Sequence, residues 1–178
     1  GDHLNALPKR FRTLQPPMGL FAVTGNHEYL AGLEPSLLFL RNAGFTVLRG
    51  QAAEAGGIIL VGVDDHTAGA ALNQEVKLDT KEALSAVPRN KFVVLLKHQP
   101  VIEQDTPFNL QLSGHIHGGQ IFPFGVLPWL TYGVHSGLTR LGEQQWLYVS
   151  RGTGTWGPPV RLFAAPEITL ITIESEKR

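Results

Sequence analysis

Phe92-Val93-Val94-Leu95-Leu96 is the strongest buried-strand signal in the chain. A continuous apolar run of this length, with no alternation, reads as a strand buried on both faces. Shorter runs at 19–24, 45–48 and 57–63 read the same way, the last carrying Ile58-Ile59-Leu60-Val61. Residues 109–113 follow as a short strand, and 146–150 and 168–173 alternate as strands do. Helical spacing predicts a helix over 33–43, with Ser36 available as a cap and Gly44 as its stop, and an amphipathic helix over 72–86 ending before Pro88. Strands mixed with a few helices predict an α/β domain with sheets covered by helices. The chain of 178 residues is read as a single domain, 1–178, long enough to bury a real core.

Composition removes several functional classes. Fifteen Lys and Arg balance fifteen Asp and Glu, so no global basic field exists to drive nucleic-acid binding, and no nucleic-acid partner is expected. With no cysteine there can be neither a disulfide framework nor a thiolate metal site. No run reaches the roughly 18 apolar residues a membrane span requires. The first residues, Gly1-Asp2-His3-Leu4-Asn5, have neither a signal peptide's basic start nor its apolar run, and lack an initiator Met. The expectation is a chain that begins inside a longer protein.

The polar residues that could carry chemistry sit at strand ends. Gly25-Asn26-His27-Glu28 follows the first strand, Lys97-His98-Gln99-Pro100 the strongest, and Gly114-His115-Ile116-His117-Gly118-Gly119 the strand at 109–113. In open α/β sheets ligands gather at the carboxyl ends of strands, so three such loops can converge. They bring four imidazoles and one amide, a set suited to borderline divalent metals such as zinc, manganese or iron. On an extended backbone His115 and His117 would share a face. Each motif alone is more simply a turn or a hydrogen-bonded histidine. The three in this order, each after an apolar strand, favour a site.

Gly-Asn-His-Glu, His-x-Pro and Gly-His-x-His, in that order, resemble the calcineurin-like metallophosphoesterases. Val23–Tyr29, Leu112–Phe124 and Val149–Pro159 are similar to the bacterial YkuE/YaeI-type phosphodiesterase branch, and the resemblance spans 19–173. It implies an α/β four-layer αββα sandwich of two mixed sheets with its N-terminal part missing, and a two-metal centre holding manganese, iron or zinc. Asn26, His98 and His115 would ligate one metal and His117 the other. His27 would be the acid that protonates the leaving oxygen, with Glu28 orienting it. It further implies a phosphodiester or lipid-linked phosphate substrate, contact with a membrane surface and a place in the bacterial cell envelope, with a cytoplasmic location as the alternative.

The family's Asp-x-His motif does not occur ahead of Gly25-Asn26-His27-Glu28, where the family places it, and its Gly-Asp-x-x-Asp is at best Gly1-Asp2-His3-Leu4-Asn5, with Asn5 in place of the final Asp. A catalytically incomplete fragment or pseudoenzyme acting as a binding module is therefore the alternative to the enzyme. Outside the motifs, His66 reads as either a cleft or a loop residue, and Arg151 as either a phosphate ligand or a loop support. From Gly118 to Thr139 there is no Asp, Glu, Lys or Arg. Pro123 and Pro128 predict a loop there, which either fills the core or forms an apolar lip of Phe122, Phe124 and Trp129 beside the site.

Overall fold

The apolar runs at 57–63 and 92–96 become central strands of one sheet, and those at 19–24 and 45–48 pair with each other in another. The computed structural model describes residues 2–77, 79–103, 106–123 and 126–174, with the backbone alone for 2–5, 127 and 128. Its elements run α1 (Asp2–Phe11), β1 (Leu20–Ala22), α2 (Asn26–Ala31), α3 (Leu33–Asn42), β2 (Phe45–Val47), β3 (Gln51–Ala55), β4 (Ile58–Gly62), α4 (His66–Ala71) and α5 (Thr80–Ser85). They continue with β5 (Val93–Leu96), β6 (Leu110–Ser113), a 3₁₀ turn (His117–Gly119), α6 (Val126–Tyr132), β7 (Gly137–Arg140) and β8 (Trp146–Val149).

Six strands form a mixed sheet in the order β3-β4-β5-β6-β8-β7, and β1 and β2 form a separate parallel pair. The α/β architecture with two sheets is the one expected. In the large sheet β4, β5, β6 and β8 are parallel, while β3 and β7 close the edges as antiparallel hairpin strands. The β3–β4 turn is Gly56-Gly57, with φ of 59° and 88°. A two-residue hairpin turn with positive φ at both positions follows the strand twist, and glycine meets that demand without a Cβ clash.

Burial explains why the central runs lack alternation. Ile59, Val61, Val63, Val93 and Leu95 pack with Ala83 and Leu84 of α5 and with Val87 and Phe108. Tyr29, Leu33 and Leu37 form a second cluster between α2 and α3, against Val47 and Ala68. The two sheets are joined through Asp64, just beyond β4. Its buried carboxylate accepts from Thr24 Oγ1 (2.7 Å), Arg49 Nε and Nη2 (2.8 and 2.9 Å) and the Lys77 N–H (3.0 Å).

Three expectations are corrected. Helix α4 ends at Ala71, before the helix expected over 72–86 begins, and among the described residues only α5, over Thr80–Ser85, forms within that span. Asp65 caps the first by accepting from the Ala68 N–H, and Asp79 caps the second by accepting from the Glu82 N–H. The segment 168–173 pairs with no strand among the described residues, and Ile168 and Leu170 are exposed. Apolar alternation gives a segment the capacity to pair, but the edge beside β8 is already taken by β7. The segment after Pro123 is not all loop, because α6 forms with Pro128 in its first turn. A first-turn N–H has no intrahelical acceptor, so proline's missing donor is tolerated there.

Candidate metal centre

The motif loops leave the carboxyl ends of β1, β5 and β6. The ladder continues beyond the strands, with Lys97 N–H donating to the Leu112 carbonyl and Gly114 N–H to the His98 carbonyl (2.9 Å). The His98 and His115 loops are thereby held side by side. Asn26 opens α2 across from them. Glu28 accepts from the Gly25 N–H at 2.7 Å, so it shapes the turn that presents Asn26 and His27 and acts on His27 through the backbone.

Three donor atoms converge. His98 Nε2 lies 2.9 Å from Asn26 Oδ1 and 3.0 Å from His115 Nδ1. The two rings meet edge to face with centroids 4.9 Å apart. Three lone-pair atoms aimed at one point need a shared cation or proton between them. Burial pushes the His98 imidazolium pKa down to about 4, helped by neighbouring His115 and opposed by Asp65. Burial also lowers His115, again against Asp65. Both rings are therefore neutral at pH 7, the form that ligates metal. Among the described residues no three His, Cys, Asp or Glu side chains make a metal-binding group. The set is two imidazoles and an amide, whose chemistry fits one borderline divalent ion and would offer it three donors.

His117 stands apart from that trio. Its Nδ1 is 3.3 Å from Arg161 Nη2, and burial followed by the Arg161 charge lowers its pKa. The His-x-His pair is not on extended backbone, which corrects the expectation of a shared strand face. His115 has φ of 68° and His117 of 50°, with Ile116 between them in right-handed helical geometry and buried against Val134, Leu147 and Val149. The turn is forced by short bonds, Ile116 N–H to Gly114 carbonyl (2.8 Å) and Gly119 N–H to Ile116 carbonyl (2.7 Å). Left-handed backbone at a non-glycine residue costs roughly 1–3 kcal/mol and is typical of functional sites.

Asn26, His27, His115, His117, Tyr132 and Trp156 share the wall of an open cleft of ≈ 450 Å³. His98 lies behind this wall and faces a second opening of ≈ 410 Å³, which His66 also lines. Phe124 lies outside the described residues, as do the side chains of Asp2 and Asn5. Arg151 pairs with Glu167 at 2.6 Å, so it supports the loop. The Glu167 carboxyl is held at about 2, where burial's upward push is outweighed by hydrogen bonds from the Arg151 backbone and side chain and from Tyr148.

Sequence reasoning missed four supporting residues. Asp65, buried, accepts from Gln99 Nε2 (2.9 and 3.0 Å), and Gln99 Oε1 accepts from Tyr132 OH (3.0 Å). Arg161 donates to the carbonyls of Arg151, Gly154 and Ala164, drawing the 152–157 loop towards His117. The available signal was position: Asp65 follows a strand end and Gln99 follows His98. Arg161 gave no signal.

Gly25 has ordinary φ, and its requirement is space. A Cβ there would stand 2.7 Å from His98 Cε1 and Nδ1. Gly25→Ala is expected to push the His98 ring aside and weaken metal binding about 10–100-fold, as loss of a ligand's support does. Calorimetric metal titration checks this, and unchanged affinity would show that the ring can shift without harm.

The chain is 42% identical over 178 residues to a metallophosphoesterase of Aquifex aeolicus, covering 98% of this chain and 68% of that protein. It is 35% identical over 189 residues to the metallophosphoesterase YkuE of Bacillus subtilis, covering 98% and 63%. It is 32% identical over 174 residues to a Danio rerio protein named as a transmembrane protein with metallophosphoesterase domain, covering 90% and 40%. No family model matches the chain, and no solved structure matches it. The chain belongs to the metallophosphoesterases, of the calcineurin-like superfamily, a family named for metal-dependent hydrolysis of phosphoesters. Within that family it is a relative of YkuE. It spans about two thirds of the Aquifex and Bacillus relatives and a smaller part of the Danio protein.

Proposed function

We propose that this chain carries part of a two-metal centre that hydrolyses phosphodiester or pyrophosphate bonds, and that the whole protein acts on envelope or lipid-linked substrates. The observation that supports the reading is the meeting of Asn26 Oδ1, His98 Nε2 and His115 Nδ1 within 3.0 Å steps. Asn26, His98 and His115 would hold one ion and His117 would contribute to the other. Manganese, iron and zinc all suit nitrogen and amide-oxygen donors. When bound, two such ions supply Lewis acidity and an activated water for in-line attack at phosphorus.

The chain's own residues do the rest. His27 projects from the first turn of α2 into the cleft wall and donates a proton to the departing alkoxide. Asp65, through Gln99, fixes the Tyr132 hydroxyl on the opposite side. Tyr132 also packs edge to face on His115, with centroids 6.0 Å apart. The family names of the relatives favour the enzyme over the binding module. The Danio relative is named a transmembrane protein, which favours a membrane setting for the whole protein. Among the described residues no helix is long and apolar enough to cross a membrane.

His27→Ala is expected to lower kcat by about 10²–10⁴-fold, the range for a lost general acid, with bound metal retained. Elemental analysis beside turnover of a phosphodiester in the full-length protein checks it. Loss of metal together with turnover would make His27 a ligand instead.

A further inference from the structure

The charge-free stretch from Gly118 to Thr139 fills the core only in part, through Val134 and Tyr132. Phe122, Val126 and Trp129 are 65%, 56% and 45% exposed, and they line an open groove of ≈ 270 Å³ together with Ile116 and Val134. Its polar margin is His135 and Ser136, and His135 is stacked on Trp129 with planes 11° apart. No carboxylate, ammonium or guanidinium belongs to the stretch. The groove adjoins the cleft that holds His27, His115 and His117, since Ile116 and Gly119 line both.

We propose that this groove is a subsite for a single alkyl or isoprenyl chain esterified to the phosphate being cleaved. The proposal rests on the phosphoesterase reading of the cleft and adds where the substrate's apolar chain is seated. A phosphoester seated at His27 and His115 must lead one organic substituent out of the cleft. Past Ile116, that substituent meets apolar side chains that otherwise face water. Exposed apolar surface beside a polar site marks a place where apolar ligand is bound. An ionic headgroup would find no counter-charge there, whereas a methylene chain loses nothing polar on entry. The reaction itself is a hydrolysis: water adds to phosphorus, the P–O bond to the leaving alcohol breaks, and that oxygen takes the proton held by His27.

The test compares two phosphodiesters with one leaving group, methyl and dodecyl p-nitrophenyl phosphate. Both are used below micelle-forming concentration, on the full-length protein supplied with manganese. Burying a methylene is worth up to about fourfold, so kcat/KM should favour the dodecyl ester by at least about tenfold. Trp129→Ser, at a half-exposed position, should bring the ratio close to one. A ratio near one in the unaltered protein, or a full preference retained in the variant, would overturn the subsite. Titration with dodecyl and methyl phosphate monoesters needs no turnover and tests the groove alone. At least about tenfold tighter binding of the dodecyl compound is expected, and equal affinities would overturn the proposal. Failure to cleave either diester while dodecyl phosphate still binds preferentially would instead remove the phosphodiesterase reading.

Discussion

Replacing His98 or His115 with alanine is expected to strip most of the bound metal and to lower phosphodiester hydrolysis by about 10³-fold or more. Each variant removes one of three converging donors, and two remaining donors, one of them an amide, hold a divalent ion poorly. A bound metal contributes several kcal/mol of transition-state stabilisation, and each 1.4 kcal/mol is a factor of ten in rate. Both changes fall on buried or half-buried rings, so thermal unfolding of each variant should be followed alongside. The decisive measurement is elemental analysis of the purified full-length variants. A full complement of metal in either one would disprove its assignment as a ligand.

The second large effect concerns stability. Arg49→Ala leaves the Asp64 carboxylate, fully buried at its side chain, without its counter-charge. Breaking a buried pair by removing one partner costs about 3–5 kcal/mol, whereas replacing both by apolar groups of similar volume is often mild. Urea denaturation should therefore show a large loss in Arg49→Ala and a much smaller one in the Arg49→Met, Asp64→Leu double variant. Equal losses in the two would mean that Thr24 and the Lys77 N–H satisfy Asp64 unaided. The pH dependence follows from the same contacts. Burial pushes the Asp64 carboxyl up, but the bonds from Arg49, Lys77 and Thr24 outweigh it and hold the pKa below the ordinary value. A carboxyl depressed in the folded state contributes stability above its unfolded pKa of about 3.9. That contribution is lost as pH falls through the lower, folded value. Acid denaturation of Arg49→Ala should accordingly begin at higher pH than that of the unaltered protein.

The buried strands were legible because a strand covered on both faces can tolerate little that is polar. Phe92–Leu96 and Ile58–Val61 announce β5 and β4 for that reason. β3 was hidden: Gln51-Ala52-Ala53-Glu54-Ala55 has helix-forming composition, and only its hairpin with β4 through Gly56-Gly57 makes it a strand. The late start of α5 was written in Asp79, a cap overlooked within the amphipathic pattern over 72–86, and α4 ahead of that pattern was written in its own cap, Asp65. Conversely, the alternation of 168–173 looked like a strand because periodicity records which faces differ, not whether a neighbour is present.

The candidate site divides in the same way. The convergence of Asn26, His98 and His115 could be read from strand ends, because sheet topology dictates where such loops go. The Asp65–Gln99–Tyr132 chain could not, because its members are separated in sequence and meet only when α6 folds over the β5 end. Arg161 lies 44 residues from His117 and acts on it mainly by gathering carbonyls, for which no local pattern exists.

The left-handed turn after β6 has a consequence for mutational drift. His115, His117 and Gln120 all hold φ between 50° and 68°, a conformation that glycine or asparagine adopts more comfortably. Replacing either histidine by glycine relieves backbone strain while deleting a side chain the chemistry needs, and replacing Gln120 deletes the side chain that holds the Trp156 and Pro158 carbonyls beside the cleft. Selection for heat resistance alone would then reward the loss of the site, and selection for turnover would keep the turn strained. A library ranked by melting temperature should accumulate glycine at these three positions and lose its activity as it gains stability.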